Sequence, residues 1–398
     1  MMMWRRAAAK ITMLHGTISN LCIIICLHAA TQHGIVAFGT ASSGVRQSLQ
    51  VGVQQQQHDT ADVDPAPLAE PTQADVDLER WCREQSIEGL HNVAIRTTPR
   101  SVGNRGLFLS SWGECKPQGG DVLARIPAHL VMTQSRCERR WPSLFSEDNK
   151  RFPSDCWPVL FASYAAHALE QSYLEEDDDD VNWSPWIQSW LGTGDENDPN
   201  NPKPPRPPSS YDALELESMA KDFGSNSQLV QEALEARYRI FLGHQQHLLP
   251  THTNDRTEEL YSVVLSRTAQ LGPMWAEDDR RGIIPLHDLI NHAPRGKCPN
   301  VELFTVGDLR HILGTEEADH LIQTSLTDIP GRSQPHRNTN HSNNHVPAAL
   351  PVVDRDILLI ARNTIQAGDE LFLSYQGGKT EFEEKQRVWL SLQYGFPF

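Results

Sequence analysis

Three observations predict an α+β fold. Strand-like alternation opens the folded region, helical periodicity fills its middle, and strand-like segments return at its end. In the first part Val93-Ala94-Ile95-Arg96 alternates as a strand should, followed by Leu107-Phe108-Leu109 and by Val122-Leu123-Ala124-Arg125-Ile126, which Pro127 stops. Gly103-Asn104-Arg105-Gly106 separates the first two strands. Glycine there lets the backbone bend tightly or lets a ligand approach, and a plain β-turn serves the first purpose alone. From Trp157 the period changes: Leu160, Tyr164 and Ala168 recur at i, i+4 and i+8, which predicts an amphipathic helix. Residues 229–247 and 257–271 read as two more helices. Strands return at Val301-Glu302-Leu303-Phe304, at 356–361 and at Leu371-Phe372-Leu373-Ser374-Tyr375, with a turn at 366–370 and a final helix over 381–392.

Composition bounds the rest. The chain has 398 residues, longer than one typical domain, but a hydrophobic fraction of 39% and 26 prolines imply that part of it does not pack. Enough apolar sequence remains between 81 and 398 for one large core or two smaller ones. A formal net charge of −16 with no compensating Lys/Arg stripe argues against nucleic acid as a partner. Of the seven cysteines, Cys22 and Cys26 fall near the start and five are scattered. No Cys-x-x-Cys pair or Cys/His cluster has zinc spacing, so free thiols are expected and neither zinc nor another metal.

Residues 1–80 read as a targeting leader and a linker. Arg5, Arg6 and Lys10 precede the apolar run Leu21-Cys22-Ile23-Ile24-Ile25-Cys26-Leu27, and no acid occurs before Asp59. The run is too short to span a bilayer, so no stable membrane insertion is expected. A signal-like start followed by a Ser-containing, acid-free stretch resembles the two-part plastid leaders of algae with secondary plastids. A disordered tail with a chance apolar patch, and a cytoplasmic or nuclear protein, is the alternative. Gln54 to Gln57 and the Asp/Pro/Ala stretch up to Asp77 read as linker.

Within the helical middle, the six acids from Glu175 to Asp180 read as a solvated loop, and Trp183, Trp186 and Trp190 as core packing. Residues 197–210 are a Pro/Asn-rich loop. Arg267 falls on the apolar stripe of Leu260, Val263 and Val264. An arginine on a buried face needs an anionic partner, for which a ligand carboxylate is suited, or else must snorkel to the rim. Residues 329–346 read as a disordered insertion, whose His336, His341 and His345 reflect low complexity more readily than metal binding.

The stretch from Ile283 to His292 is the centre of the chain. Asp288, Asn291 and His292 stand at i, i+3 and i+4, so one helical turn would present all three on one face. The plain reading is a helix start capped by Asp288, with His292 a satisfied core histidine. The other is a built site.

Together these pieces resemble the SET-domain methyltransferases, specifically the branch of Rubisco large-subunit lysine methyltransferase. The quoted residues run in order: Asn104-Arg105-Gly106-Leu107-Phe108 for the first cofactor turn, Ser184-Pro185-Trp186-Ile187-Gln188-Ser189-Trp190-Leu191 and Ser266-Arg267-Thr268 in a helical insert, and 285–292 for Pro-Leu-x-Asp-x-x-Asn-His. Gly368-Asp369-Glu370-Leu371-Phe372-Leu373-Ser374-Tyr375 and Tyr394-Gly395-Phe396 resemble its closing strand and following helix. The resemblance covers 84–398. It implies a mainly β fold of short twisted sheets with a pseudoknot, with an N-terminal part over 84–135, a helical insert over 136–281, a C-terminal part over 282–376 and a closing helix over 377–398. The family's C-terminal substrate-docking domain is expected to be absent.

What the resemblance implies chemically is methyl transfer from S-adenosylmethionine to a protein substrate, at the lysine ε-amine. Arg105, Gly106, Leu107, Arg267, Asp288, Asn291 and His292 would bind the cofactor, with Arg267 on its carboxylate, and Tyr375 would orient methyl and amine. A histidine methyltransferase of the same branch carries an asparagine shortly after the insert arginine, where Thr268-Ala269 stand here, which favours lysine. The chain departs from the family at Gly103, at Gln376 and around Lys379-Thr380-Glu381. A non-catalytic SET-fold protein-binding module with a degraded cofactor pocket is therefore the rival. A hydrolase using Asp288 and His292 lacks any Gly-x-Ser-x-Gly nucleophile motif.

Overall fold

The computed structural model describes residues 70–97, 105–110, 116–140, 156–171, 181–191, 208–246, 255–293, 298–326, 351–374 and 383–394. The expected leader, the histidine-rich insertion, Gly103, Tyr375 and Gln376 lie outside these residues. In chain order the elements begin with α1 (Gln73–Glu84), β1 (Val93–Thr97), β2 (Arg105–Leu109), β3 (Val122–Ile126) and β4 (Met132–Thr133). A helical stretch follows: α2 (Gln134–Arg140), α3 (Trp157–Gln171), α4 (Ser184–Gln188), α5 (Ala213–Asp222), α6 (Ser227–Gln245) and α7 (Asp255–Arg267). Then come β5 (Thr268–Gln270), β6 (Arg281–Ile283), β7 (Asn291–His292), β8 (Val301–Thr305), α8 (Val306–Leu313) and α9 (Thr315–Leu326). The last described elements are β9 (Ile357–Ala361), β10 (Phe372–Leu373) and α10 (Glu384–Tyr394).

The fold is α+β, as the periodicities predict, but it is not mainly β. The strands are only two to five residues long, and the helices hold far more of the described chain. Part of the excess is α8 and α9, which the sequence reading did not anticipate between two strands. They cover one face of the β3-β9-β8 sheet, where Val306, Leu309 and Ile322 pack with Leu358 and Ile360.

Residues 73–80, expected as linker, form the first turns of α1. Thr72 Oγ1 accepts from the Asp75 amide at 3.2 Å and Asp75 accepts from the Thr72 amide at 3.0 Å, a reciprocal cap that starts a helix. Leu78 and Trp81 are buried, and the Trp81 indole donates to the Asn182 carbonyl at 2.8 Å, tying α1 to the segment before α4.

Among the described residues four small sheets hold the strands: β1 with β2, β3-β9-β8, β4-β6-β5, and the parallel pair β7 with β10. The third explains how a long helical stretch is accommodated. Met132 of β4 and Thr268 of β5 both pair with Ile283 of β6, so the chain leaves and re-enters at one sheet and the strand frame is closed behind the helices. Of these helices, α3 packs against α7 and α6 against α5 and α10. Val230, Ala233 and Leu234 of α6 meet Val388 of α10.

Two expected helical segments are shorter than predicted. The helix drawn over 257–271 stops at Arg267, where Thr268 turns its hydroxyl back to the Val264 carbonyl at 2.7 Å and the backbone goes on as β5. The helical turn expected over 288–292 is a tight 287–289 turn followed by β7. Leu286, at φ +66°, bends the chain before it, and pairing with β10 holds the rest extended. Cys82, Cys137 and Cys298 are free thiols, the first two buried.

Candidate functional site

β2 supplies the floor of the site. Arg105, Gly106 and Leu107 lie along it, and Leu107 is fully buried. The 368–371 segment runs against β2: the Leu107 carbonyl accepts from the Leu371 amide at 2.7 Å, and the Leu109 carbonyl from the Gly368 amide at 2.8 Å. β10 then continues from this segment to pair with β7. Three pieces remote in sequence, at 105–107, 291–292 and 370–373, are thereby stitched together by backbone hydrogen bonds.

Asn291 is the side chain that bridges them. Its Nδ2 donates to Glu370 Oε1 at 2.8 Å and to the Arg105 carbonyl at 3.2 Å. Gly106 leaves room for that carboxylate, since a Cβ there would stand 2.8 Å from Glu370 Oε1. Arg105 is fixed from the other side. Its Nε lies 3.1 Å from Asp75 Oδ1 and its Nη1 2.9 Å from the Ser189 carbonyl, so α1 and the end of α4 orient it.

At the edge of this floor stands Asp288, in the turn packed between the end of α7 and β2. One carboxylate oxygen, Oδ2, accepts from Trp186 Nε1 at 3.1 Å and Trp190 Nε1 at 3.0 Å, and lies 3.3 Å from Arg267 Nη1. Arg267 Nη1 also donates to the Asp288 carbonyl at 2.6 Å. The other oxygen, Oδ1, is buried and has no hydrogen-bond partner. Burial raises the Asp288 carboxyl above its ordinary range, opposed by Arg267 and the two indoles. Arg267, half-buried with its side chain 22% exposed, thus has an anion within the protein.

His292 is buried on β7, and burial draws its pKa down to about 4, partly offset by a hydrogen bond with the Leu373 backbone. Asp288 and His292 do not share a helical face: Asp288 turns toward the tryptophans, whereas His292 lies in the β7–β10 pairing.

The structure therefore brings Arg105, Gly106, Leu107, Arg267, Asp288, Asn291 and His292 into one region, and Tyr375 lies outside the described residues. Sequence reasoning missed Trp186, Trp190, Asp75 and Glu370. The tryptophans are core, as expected, with Trp186 stacked on Trp81 at 5.9 Å, yet their N–H groups also hold the site carboxylate. A signal was present. Two tryptophans four residues apart carry two donors that need acceptors once buried, and Asp288 is a buried acceptor that needs donors. Among the described residues no group of three or more His, Cys, Asp or Glu could hold a metal ion.

No family model matches this chain, and no curated protein does. Among solved structures it is similar to the crystal structure of the SET domain of LSMT bound to lysine and AdoHcy, at 14% identity and a TM-score of 0.44, over 82% of this chain and 57% of that one. It is similar also to the same SET domain bound to methyllysine and AdoHcy, at 13% identity and a TM-score of 0.45, over 83% of this chain and 58% of that one. The chain thus spans less than two thirds of the length of the chains it matches.

Proposed function

We propose that this protein is a SET-type methyltransferase that uses S-adenosylmethionine to methylate a lysine ε-amine of a protein. The observation that supports this best is the convergence of the 105–107, 288–292 and 370–373 segments with Arg267, since these are the pieces whose order resembles the SET family. The parallel pairing of β7 with β10 fits the pseudoknotted closure that the resemblance implies.

The residues fit the methionine end of the cofactor. That end is a zwitterion. Its ammonium is the donor that the buried Asp288 Oδ1 lacks, and its carboxylate suits Arg267, whose guanidinium carries five N–H donors. Gly106, the Arg105 backbone, Asn291, Glu370 and His292 would supply the cofactor's remaining contacts. When bound, S-adenosylmethionine supplies a methyl group on a sulfonium, already a good leaving species, so alignment and a dry path are the protein's main contribution. Arg267, Asp288 and Asn291 hold and orient. Tyr375, next but one after β10, would direct the incoming amine. The lysine must arrive neutral, and an apolar approach lowers its pKa in that direction.

Calorimetric titration of S-adenosylmethionine into the full chain tests the reading. Wild type is expected to bind, and Arg267→Ala and Asn291→Ala each to lose about tenfold or more in affinity while remaining folded. A folded wild type that does not bind favours the protein-binding module instead, a reading consistent with Arg267 and Asp288 already satisfying one another. With a methyl-accepting protein in hand, Tyr375→Phe is expected to depress turnover more than cofactor affinity.

A further inference from the structure

The site region holds a second unsatisfied buried atom, one that the cofactor contacts above do not use. His287 opens the 287–289 turn, is 8% exposed, and its Nδ1 has no hydrogen-bond partner. A buried ring nitrogen left without a partner costs about 1–3 kcal/mol, so its persistence calls for an explanation. The residue before it adds a second cost. Leu286 is buried with φ at +66°, a left-handed conformation that side chains with a Cβ seldom adopt and that is typical of functional sites. Two successive residues thus carry unfavourable features, immediately before Asp288.

The burial and charge state of the ring restrict what it can meet. Burial alone pulls the His287 pKa down to about 4, with no contribution from the Asp288–Arg267 pair one residue away. The imidazole is neutral at physiological pH. A neutral imidazole has one ring nitrogen that accepts a hydrogen bond. A buried, neutral ring with one acceptor matches a neutral primary amine, one N–H of which finds its partner there.

Resting on the function proposed above, we infer that His287 is a specificity contact for the substrate, its Nδ1 accepting a hydrogen bond from an N–H of the lysine amine. That bond fixes how the amine is turned, leaving its lone pair free to face the methyl group. In the transfer the nitrogen lone pair forms the new N–C bond and the C–S pair stays on sulfur. The surplus proton of the resulting ammonium leaves to water, because an imidazole this weakly basic does not retain it. His287 therefore orients the amine and takes no proton.

The test uses the full chain saturated with S-adenosylhomocysteine and free L-lysine as the probe. With histidine labelled in nitrogen-15, lysine is expected to shift the His287 ring signals. His287→Phe, which keeps the bulk and removes the acceptor, is expected to weaken lysine binding about tenfold, His287→Gln to restore most of it, and neither to change S-adenosylhomocysteine affinity. Lysine binding that leaves the His287 ring signals unmoved overturns the contact, and this reading of wild type holds even if a variant fails to fold. So does a folded His287→Phe that binds lysine as wild type does. A chain that binds S-adenosylhomocysteine but no lysine overturns the amine contact and leaves the cofactor site standing. A folded chain that binds neither overturns the proposed function together with the contact.

Discussion

Asp288 loads two indoles and a guanidinium on one carboxylate oxygen and leaves the other with no partner. Asp288→Asn keeps the shape and removes the charge, so Arg267 loses its anion in a part-buried place. Breaking such a pair costs about 2–4 kcal/mol, and the amide also offers no anionic oxygen to an ammonium. Urea unfolding is expected to show that loss, and calorimetry a fall in S-adenosylmethionine affinity of about tenfold or more. Gly106→Ala separates affinity from stability. Its Cβ meets the end of Glu370, a side chain able to swing away, so the fold loses only about 1 kcal/mol. The swing removes the Asn291–Glu370 bond, and cofactor affinity is expected to drop by more than the stability does. An unchanged affinity would take Glu370 out of the site. At this scale the sequence showed that Arg267, interrupting an apolar stripe, needs either an anion or a route to the rim. It could not show which anion, since Asp288 is brought beside it by a turn and not by helical spacing.

Elements were legible where an apolar pattern ran undisturbed, as in β1, β3, β9 and α3, whose described residues are nearly all buried. Others depended on chemistry that periodicity does not see. α1 and α8 begin with capping boxes, Thr72 with Asp75 and Thr305 with Asp308, a T-x-x-D pattern that was readable in the sequence. The site turn at 287–289 follows from the backbone of Leu286, which no hydrophobic pattern announces. α1 matters to the site because Asp75 serves twice: Oδ2 closes the helix cap and Oδ1 holds Arg105. Asp75→Ala removes both, at about 1 kcal/mol for the cap and about 2–3 kcal/mol for the fully buried partner of Arg105. Asp75→Asn retains a capping oxygen and is expected to recover only the smaller part. Comparison of their urea midpoints separates the two roles. Equal losses would mean that the Arg105 pairing contributes nothing.

For the molecule as a whole, the β4-β6-β5 sheet lets a long helical stretch leave and rejoin a strand frame, and two buried histidines lie in the part that follows it. His287 and His292 each have a folded pKa drawn down to about 4 from an ordinary 6.5. Between those values the unfolded chain binds more protons than the folded one, so stability rises with pH. The contribution is complete above about pH 6.5 and is lost as pH falls toward about 4, at roughly 3 kcal/mol for each histidine. Asp288 and Glu302, whose carboxyls burial raises, act in the opposite sense, since they favour folding as they take up protons. They reduce the net acid loss, and Arg267 and Arg362 oppose the rise of each. Urea unfolding between about pH 7.5 and pH 4.5 is therefore expected to show a fall of a few kcal/mol. His287→Gln, which cannot titrate, is expected to remove close to half of that slope while leaving the His292 share in place. A slope unchanged by the substitution would mean that the His287 ring takes up its proton equally well folded and unfolded, and so is not shielded from water as its burial requires.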